Sequence, residues 1–218
     1  SKSGLNVLLL EKCKLPRYKS CSGILIEKSM RFIEQQFGCG VPQSVTCMPV
    51  DNRGMIFTDD VGREYRFTSK GLNIWRDKFD YWLLSLAKAE RTQVKDESNV
   101  TAIQEAEDII EVTANGTIEQ ARYVIDCSGA VGIGKKVRRN VITYQTYNQG
   151  KIDLDPHYFY AYLQPELSGY DAWFNVKDEM LVLGVASAEQ RDLMKYYEAF
   201  EIYMREKHGL CISKQLRT

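Results

Sequence analysis

Short apolar runs bounded by turn residues alternate along this chain with stretches whose apolar residues recur at helical spacing. Residues 7–10 (VLLL) are a continuous apolar run between Asn6 and the charged pair Glu11-Lys12. Four residues are too few for a helix, so the run reads as a strand buried on both faces, as in a parallel sheet. Ser3-Gly4 ahead of it has the form of a helix end, with Gly4 as the stop. After the polar, irregular residues 16–23, the stretch Glu27–Phe37 predicts a helix with Met30, Ile33 and Phe37 on one side and Gly38 beyond its end. Residues 45–68 change to short strands, with turn signals at 51–54 and 59–62, and residues 73–75 form a short extended piece.

Residues 76–91 predict a second helix, with Phe79, Leu83 and Leu86 on its core face and charges opposite. Strands are expected at 100–103 and 109–113, joined to a third at 117–125 by the hairpin signal Asn115-Gly116. This third strand runs on toward Asp126-Cys127-Ser128-Gly129. Further strands are read at 157–163, 172–176 and 180–185. A final helix is marked by Ser187 and Gln190 as a capping box, by the stripe Leu193, Tyr197, Phe200 and Met204, and by Gly209 at its end. The order of elements fits an α/β nucleotide-binding core interrupted by an antiparallel layer, because too many strands arrive in hairpins for a plain doubly wound fold.

Charge and composition narrow the function classes. Lysine plus arginine and aspartate plus glutamate both number 29 in 218 residues, so neither a nucleic-acid partner nor an acidic tail is indicated. Six scattered cysteines without CxxC pairs, and two histidines only, His157 and His208, give no metal site and no hydrolytic triad. Free thiols fit a reducing, cytoplasmic compartment. No apolar run reaches the ~20 residues a bilayer span needs.

Several short segments carry the candidate chemistry. Glu11, an acidic residue at the carboxyl end of a buried strand, stands where dinucleotide-binding folds accept the adenosine ribose hydroxyls, and a carboxylate there favours an unphosphorylated ribose. The alternative is a solvated charge closing a strand. Glu11-Lys12 is followed by LPRYKSCSGIL (15–25), then by WRDKFDYWLL (75–84), YVIDCSG (123–129) and GYDAWFNVK (169–177). Together these resemble the geranylgeranyl-reductase family of FAD-dependent oxidoreductases, within the broader p-hydroxybenzoate-hydroxylase-like flavoproteins. The matching patterns there are E-K before P-R-Y-K, cysteine and a glycine pair; R-x-x-F-D-x-x-L; a return strand ending D-A-S-G; and G-Y-x-W-x-F-P-K. Ser22 stands in for one glycine of the pair. The aromatic segment departs at Asn175 and Val176 and has one extra residue before Trp173.

The resemblance implies an α/β (α+β mixed) fold: an FAD/NAD(P)-binding Rossmann-like core with an inserted β-meander and an antiparallel-sheet substrate domain. Residues 1–44 and 71–137 would form an incomplete FAD-binding portion, and 45–70 and 138–218 the substrate-domain portion. It further implies that Glu11, Lys12, Cys21, Ser22, Gly23, Arg76, Val100, Ser128 and Gly129 lie along FAD, with Tyr170 and Trp173 lining the substrate cavity. Each has a structural alternative: an inert thiol for Cys21, packing for Val100, core aromatics for Tyr170 and Trp173. No catalytic residue is singled out, since in a flavoenzyme the ring system supplies the redox chemistry.

The expected activity is hydride transfer from reduced flavin to a small apolar molecule such as an isoprenoid alkene, with NAD(P)H or another electron donor. Peripheral membrane contact is left open. Oxygen-activating monooxygenase or halogenase chemistry is the alternative on the same scaffold, and a non-catalytic ligand- or partner-binding fragment is the third reading. Neither the G-x-G-x-x-G phosphate turn nor the later glycine-aspartate segment of that family occurs in the sequence. The chain is therefore expected to be an interior part of a longer flavoprotein, inactive and at best a weak FAD binder alone.

Overall fold

The computed structural model describes residues 3–129, 132–133 and 141–218. The chain divides into two compact units, the first made of residues 1–18 and 80–140, the second of 19–79 and 141–218.

Hydrophobic alternation builds the second unit around one large sheet. Its strands are β2 (Ile24–Ile26), β3 (Thr46–Thr58), β4 (Glu64–Ile74), β9 (Ile142–Lys151), β10 (Tyr158–Tyr162), β11 (Ala172–Lys177), β12 (Met180–Ser187) and β13 (Cys211–Arg217). They lie in the order β13-β9-β12-β11-β10-β3-β4-β2, antiparallel throughout except for the parallel β10–β3 pair. Every second residue of the central strands faces helix α3 (Leu193–His208). Tyr160 and Tyr162, Ala172 and Phe174, and Leu181, Leu183 and Val185 pack there against Leu193, Tyr197, Phe200 and Met204. The expected helical stripe is thus the core seam, and Gly209 ends the helix in the left-handed region at φ 62°. Helix α1 (Glu27–Phe37) follows β2 directly and ends as expected at Gly38, φ 70°, whose N–H bonds to the Glu34 carbonyl. Of its expected face, Ile33 is buried and Phe37 exposed.

The first unit is smaller. β1 (Leu8–Leu10) pairs in parallel with β5 (Gln93–Lys95), and β6 (Val100–Ala106), β7 (Ile109–Ala114) and β8 (Thr117–Ala121) form an antiparallel meander. Asn115 and Gly116, both at positive φ, make the expected hairpin turn. Helix α2 (Arg76–Ala89) starts in the second unit and continues into the first. Phe79 and Leu84 are its buried apolar residues, with Leu83 and Leu86 half-buried.

Three expectations are corrected. Residues 51–54 make no turn: β3 runs through them, because the buried Asn52 accepts the Gly54 N–H and reaches the His157 carbonyl, holding a bulge inside the strand. The extended piece expected at 73–75 is there, with Asn73 and Ile74 ending the long β4. The strand expected over 117–125 stops at Ala121. Tyr123 and Ile125 are 84% and 85% exposed, and no strand pairs with them among the described residues. Ser187 does not cap α3: it closes β12, its hydroxyl accepts the Glu189 N–H, and a short 3-10 turn precedes the helix. Residues 19–44 and 71–79 belong to the same compact unit as the large sheet, where β2 pairs with β4 at Ile24–Asn73 and Ile26–Gly71.

Candidate functional site

In the second unit, Cys21, Ser22, Gly23 and Arg76 come together around the end of β4. The Ile74 N–H bonds to the Gly23 carbonyl at 2.8 Å, stitching the loop to the strand that feeds α2. Cys21 Sγ accepts from the Gly23 N–H at 3.3 Å and faces Arg76 Nη1 at 3.8 Å. Gly23 sits at φ +72°, and a side chain there would run into Lys177 Nζ and the Ile74 carbonyl. The close approach that glycine permits is thus made to the protein's own Lys177 and Ile74.

Lys177 was not singled out by the sequence. It is 1% exposed, donates to the Ile74 carbonyl at 2.5 Å and lies 5.0 Å from the Trp75 ring centroid. Burial pushes its amine below the usual lysine range. Two residues back on the same face of β11, Asn175 donates to the Ser22 carbonyl at 3.2 Å, and two further back Trp173 donates to Gln145. The signal was present as the alternation Trp173, Asn175, Lys177, a polar stripe on a strand whose other face is core. The amide oxygens of Asn73 and Asn175 are buried and have no partner among the described residues, the incomplete satisfaction found at functional sites. Trp173 is 8% exposed and lies flat on Gly184, whereas Tyr170 is 47% exposed in a loop. Neighbouring Cys47 is buried, which pushes its thiol up to about 11 and leaves it inert at neutral pH.

In the first unit, Glu11 follows β1 and is gripped on both oxygens, by Arg17 Nε at 2.7 Å and by the Cys13 N–H at 3.0 Å. Burial alone would raise its carboxyl. The Arg17 and backbone hydrogen bonds outweigh that and hold it below the usual range, so it is ionised at neutral pH. Arg17 also reaches Asp80 at 3.5 Å. The Glu11 carbonyl accepts the Ser98 N–H, which places the start of β6 at Val100 close to Glu11 and Lys12. Ser128 is exposed, with its N–H and hydroxyl on Asp126 Oδ1, and Gly129 takes φ +93°. Among the described residues, no group of three or more histidine, cysteine, aspartate and glutamate side chains could hold a metal ion, and all six cysteines are free thiols.

The fold recurs in known structures. A geranylgeranyl bacteriochlorophyll reductase-like protein from Thermoplasma acidophilum superposes with a TM-score of 0.72 at 18% identity, over 100% of this chain and 60% of that one. The flavin-dependent halogenase CmlS matches with a TM-score of 0.69 at 17% identity, over 100% of this chain and 45% of that one. The fold is that of the FAD-dependent flavoproteins. The halogenase PltM, solved in complex with phloroglucinol and FAD, shares it at a TM-score of 0.59 and 15% identity, over 98% and 55% of the two chains. The α/β class with a large antiparallel sheet expected from the sequence is therefore correct. An uncharacterised protein of Methanosarcina barkeri is 24% identical over 223 residues, 96% of this chain. The chain spans about half the length of that curated relative (54%). No protein-family model matches it. No helix among the described residues is long and apolar enough to cross a membrane.

Proposed function

We propose that this chain belongs to an FAD-dependent oxidoreductase that transfers hydride from reduced flavin to an apolar substrate such as an isoprenoid alkene. The observation that carries the proposal is the cluster at the start of α2, where Arg76, Cys21 and Gly23 meet on the scaffold shared with FAD-dependent proteins. FAD would supply the redox centre, and the residues present fit it chemically. Glu11 is an ionised carboxylate whose two oxygens offer about four acceptor positions, and Arg17 and the backbone N–H groups of Lys12 and Cys13 hold it in place for ribose hydroxyls. Arg76 at a helix N-terminus provides a planar guanidinium with five donors, suited to pyrophosphate oxygens. Asn175 donates to the Ser22 carbonyl, and Lys177 packs beside Gly23 while donating to the Ile74 carbonyl, so the loop is braced on the side of β11. Lys12, Ser22, Val100, Ser128 and Gly129 are assigned to the FAD path with them, and residues 1–44 and 71–137 to the cofactor portion. Trp173 and Tyr170 remain the candidate substrate wall, and NAD(P)H is the first electron donor to test.

Halogenase or monooxygenase chemistry is the second reading, favoured by the likeness to CmlS and PltM. Stopped-flow reoxidation of the photoreduced flavoprotein separates the two. The reductase reading expects slow reaction with oxygen and saturation of a geranylgeranyl double bond under anaerobic conditions. Fast reoxidation coupled to halogenation or hydroxylation, without alkene reduction, would establish the second reading instead.

A further inference from the structure

The β4 strand has an open edge. β3 pairs with one side of it from Glu64 to Thr68 and again, after a register shift at residues 69–70, from Gly71 to Ile74, whereas β2 occupies the other side only from Gly71 to Asn73. Among the described residues, no strand pairs with the outer edge of residues 64–70, and every side chain from Glu64 to Lys70 is exposed. The phase of the ladder can be read at both ends. The Asp59 N–H bonds to the Arg63 carbonyl, so odd-numbered residues of this stretch face β3. The Ile74 N–H bonds to the Gly23 carbonyl on the β2 side, so even-numbered residues face outward. Glu64, Arg66, Thr68 and Lys70 therefore direct their backbone N–H and C=O groups into the open edge. On the face opposite α3, Tyr65 and Phe67 are 46% and 58% exposed, with Phe67 edge-on to Phe57 at 5.6 Å.

Natural edge strands are protected by charges, prolines or bulges, and a strand that pairs with a copy of itself must be self-complementary. This one is. An antiparallel pair about a two-fold axis at Phe67 sets Glu64 opposite Lys70, Tyr65 opposite Ser69, Arg66 opposite Thr68, and Phe67 opposite its own mate. The outward-facing even residues then fall opposite each other, as backbone bonding requires, and Phe67 occupies the closer, non-hydrogen-bonded position. Neighbouring registers fail. An axis at Arg66 opposes two arginines, and one at Thr68 opposes Arg66 with Lys70. Axes between residues set outward groups against inward ones.

We propose that a second copy of this chain docks on this edge, β4 against β4 in the register centred on Phe67, joining the two large sheets into one. This proposal is independent of the flavin reading. Sedimentation velocity on the protein from about 1 to about 200 µM is expected to show a reversible monomer–dimer equilibrium, the range in which a small interface associates. Glu64→Lys replaces two symmetry-related attractions with repulsions and is expected to weaken the dimer roughly tenfold, and adding Lys70→Glu is expected to restore it. Phe67→Cys places two thiols across the axis at about 4.5–5.5 Å between Cα atoms, within disulfide range. It should give a cross-linked dimer under mild oxidation above the background of the parent chain, while Tyr65→Cys, opposite serine, should not. A monomer across the whole range would overturn the proposal. So would a dimer indifferent to the charge swap with no cross-link gained at Phe67.

Discussion

Replacing Gly23 with alanine is expected to destabilise the second unit by about 2–5 kcal/mol, summing left-handed strain and overpacking. The backbone there holds φ +72°, and the added methyl group would collide with Lys177 Nζ and the Ile74 carbonyl, neither of which has room to yield inside the sheet. Gly38→Ala is the matched control. Gly38 has nearly the same φ, +70°, but nothing lies within 4 Å of its missing side chain, so only the conformational cost of about 1–2 kcal/mol applies. Urea unfolding of the two variants isolates the close approach as their difference. Equal losses would mean that the Lys177–Gly23 contact does not brace the loop.

Phe200→Ala is expected to cost about 3–5 kcal/mol, the range for emptying a large aromatic site in a packed core. Phe200 is wholly buried where α3 crosses the sheet, with the Tyr162 ring 5.2 Å away. Phe32, 60% exposed on α1, serves as the contrast, and its alanine variant is expected to fall within about 0.5 kcal/mol of the parent. Thermal unfolding followed by near-ultraviolet circular dichroism would show both effects. A loss below 1 kcal/mol at Phe200 would mean that α3 is not the lid of the core.

The elements most readable in the sequence were those in which local chemistry and burial agree. The stripe of Leu193, Tyr197, Phe200 and Met204 repeats at helical spacing and is buried throughout. Gly38 and Gly209 stop helices in left-handed conformations that favour glycine. What went unseen depended on distant partners. β9 has a polar sequence, ITYQTYNQGK, and becomes a strand because β12 and β13 flank it, with Asn148 Nδ2 donating to the Thr146 hydroxyl inside the sheet. The turn chemistry of residues 51–54 was overridden by the Asn52 side chain reaching His157, 105 positions away. At the site, family-like motifs pointed to Cys21, Gly23 and Arg76, which the fold gathers. The segment 169–177 contained Lys177 and Asn175 without marking them as site residues, and their place beside the loop follows from β11 lying next to residues 22–23. A lysine ending a strand looks solvated in sequence. Here it is buried.

Titration of FAD into the protein, compared with its Glu11→Gln and Arg76→Ala variants, bears most directly on the proposal that Glu11 and Arg76 are FAD-binding residues. Saturable binding, weakened about tenfold or more by each change with melting temperatures otherwise close to the parent, is the outcome required. No flavin uptake, or an affinity that neither substitution alters, would contradict it.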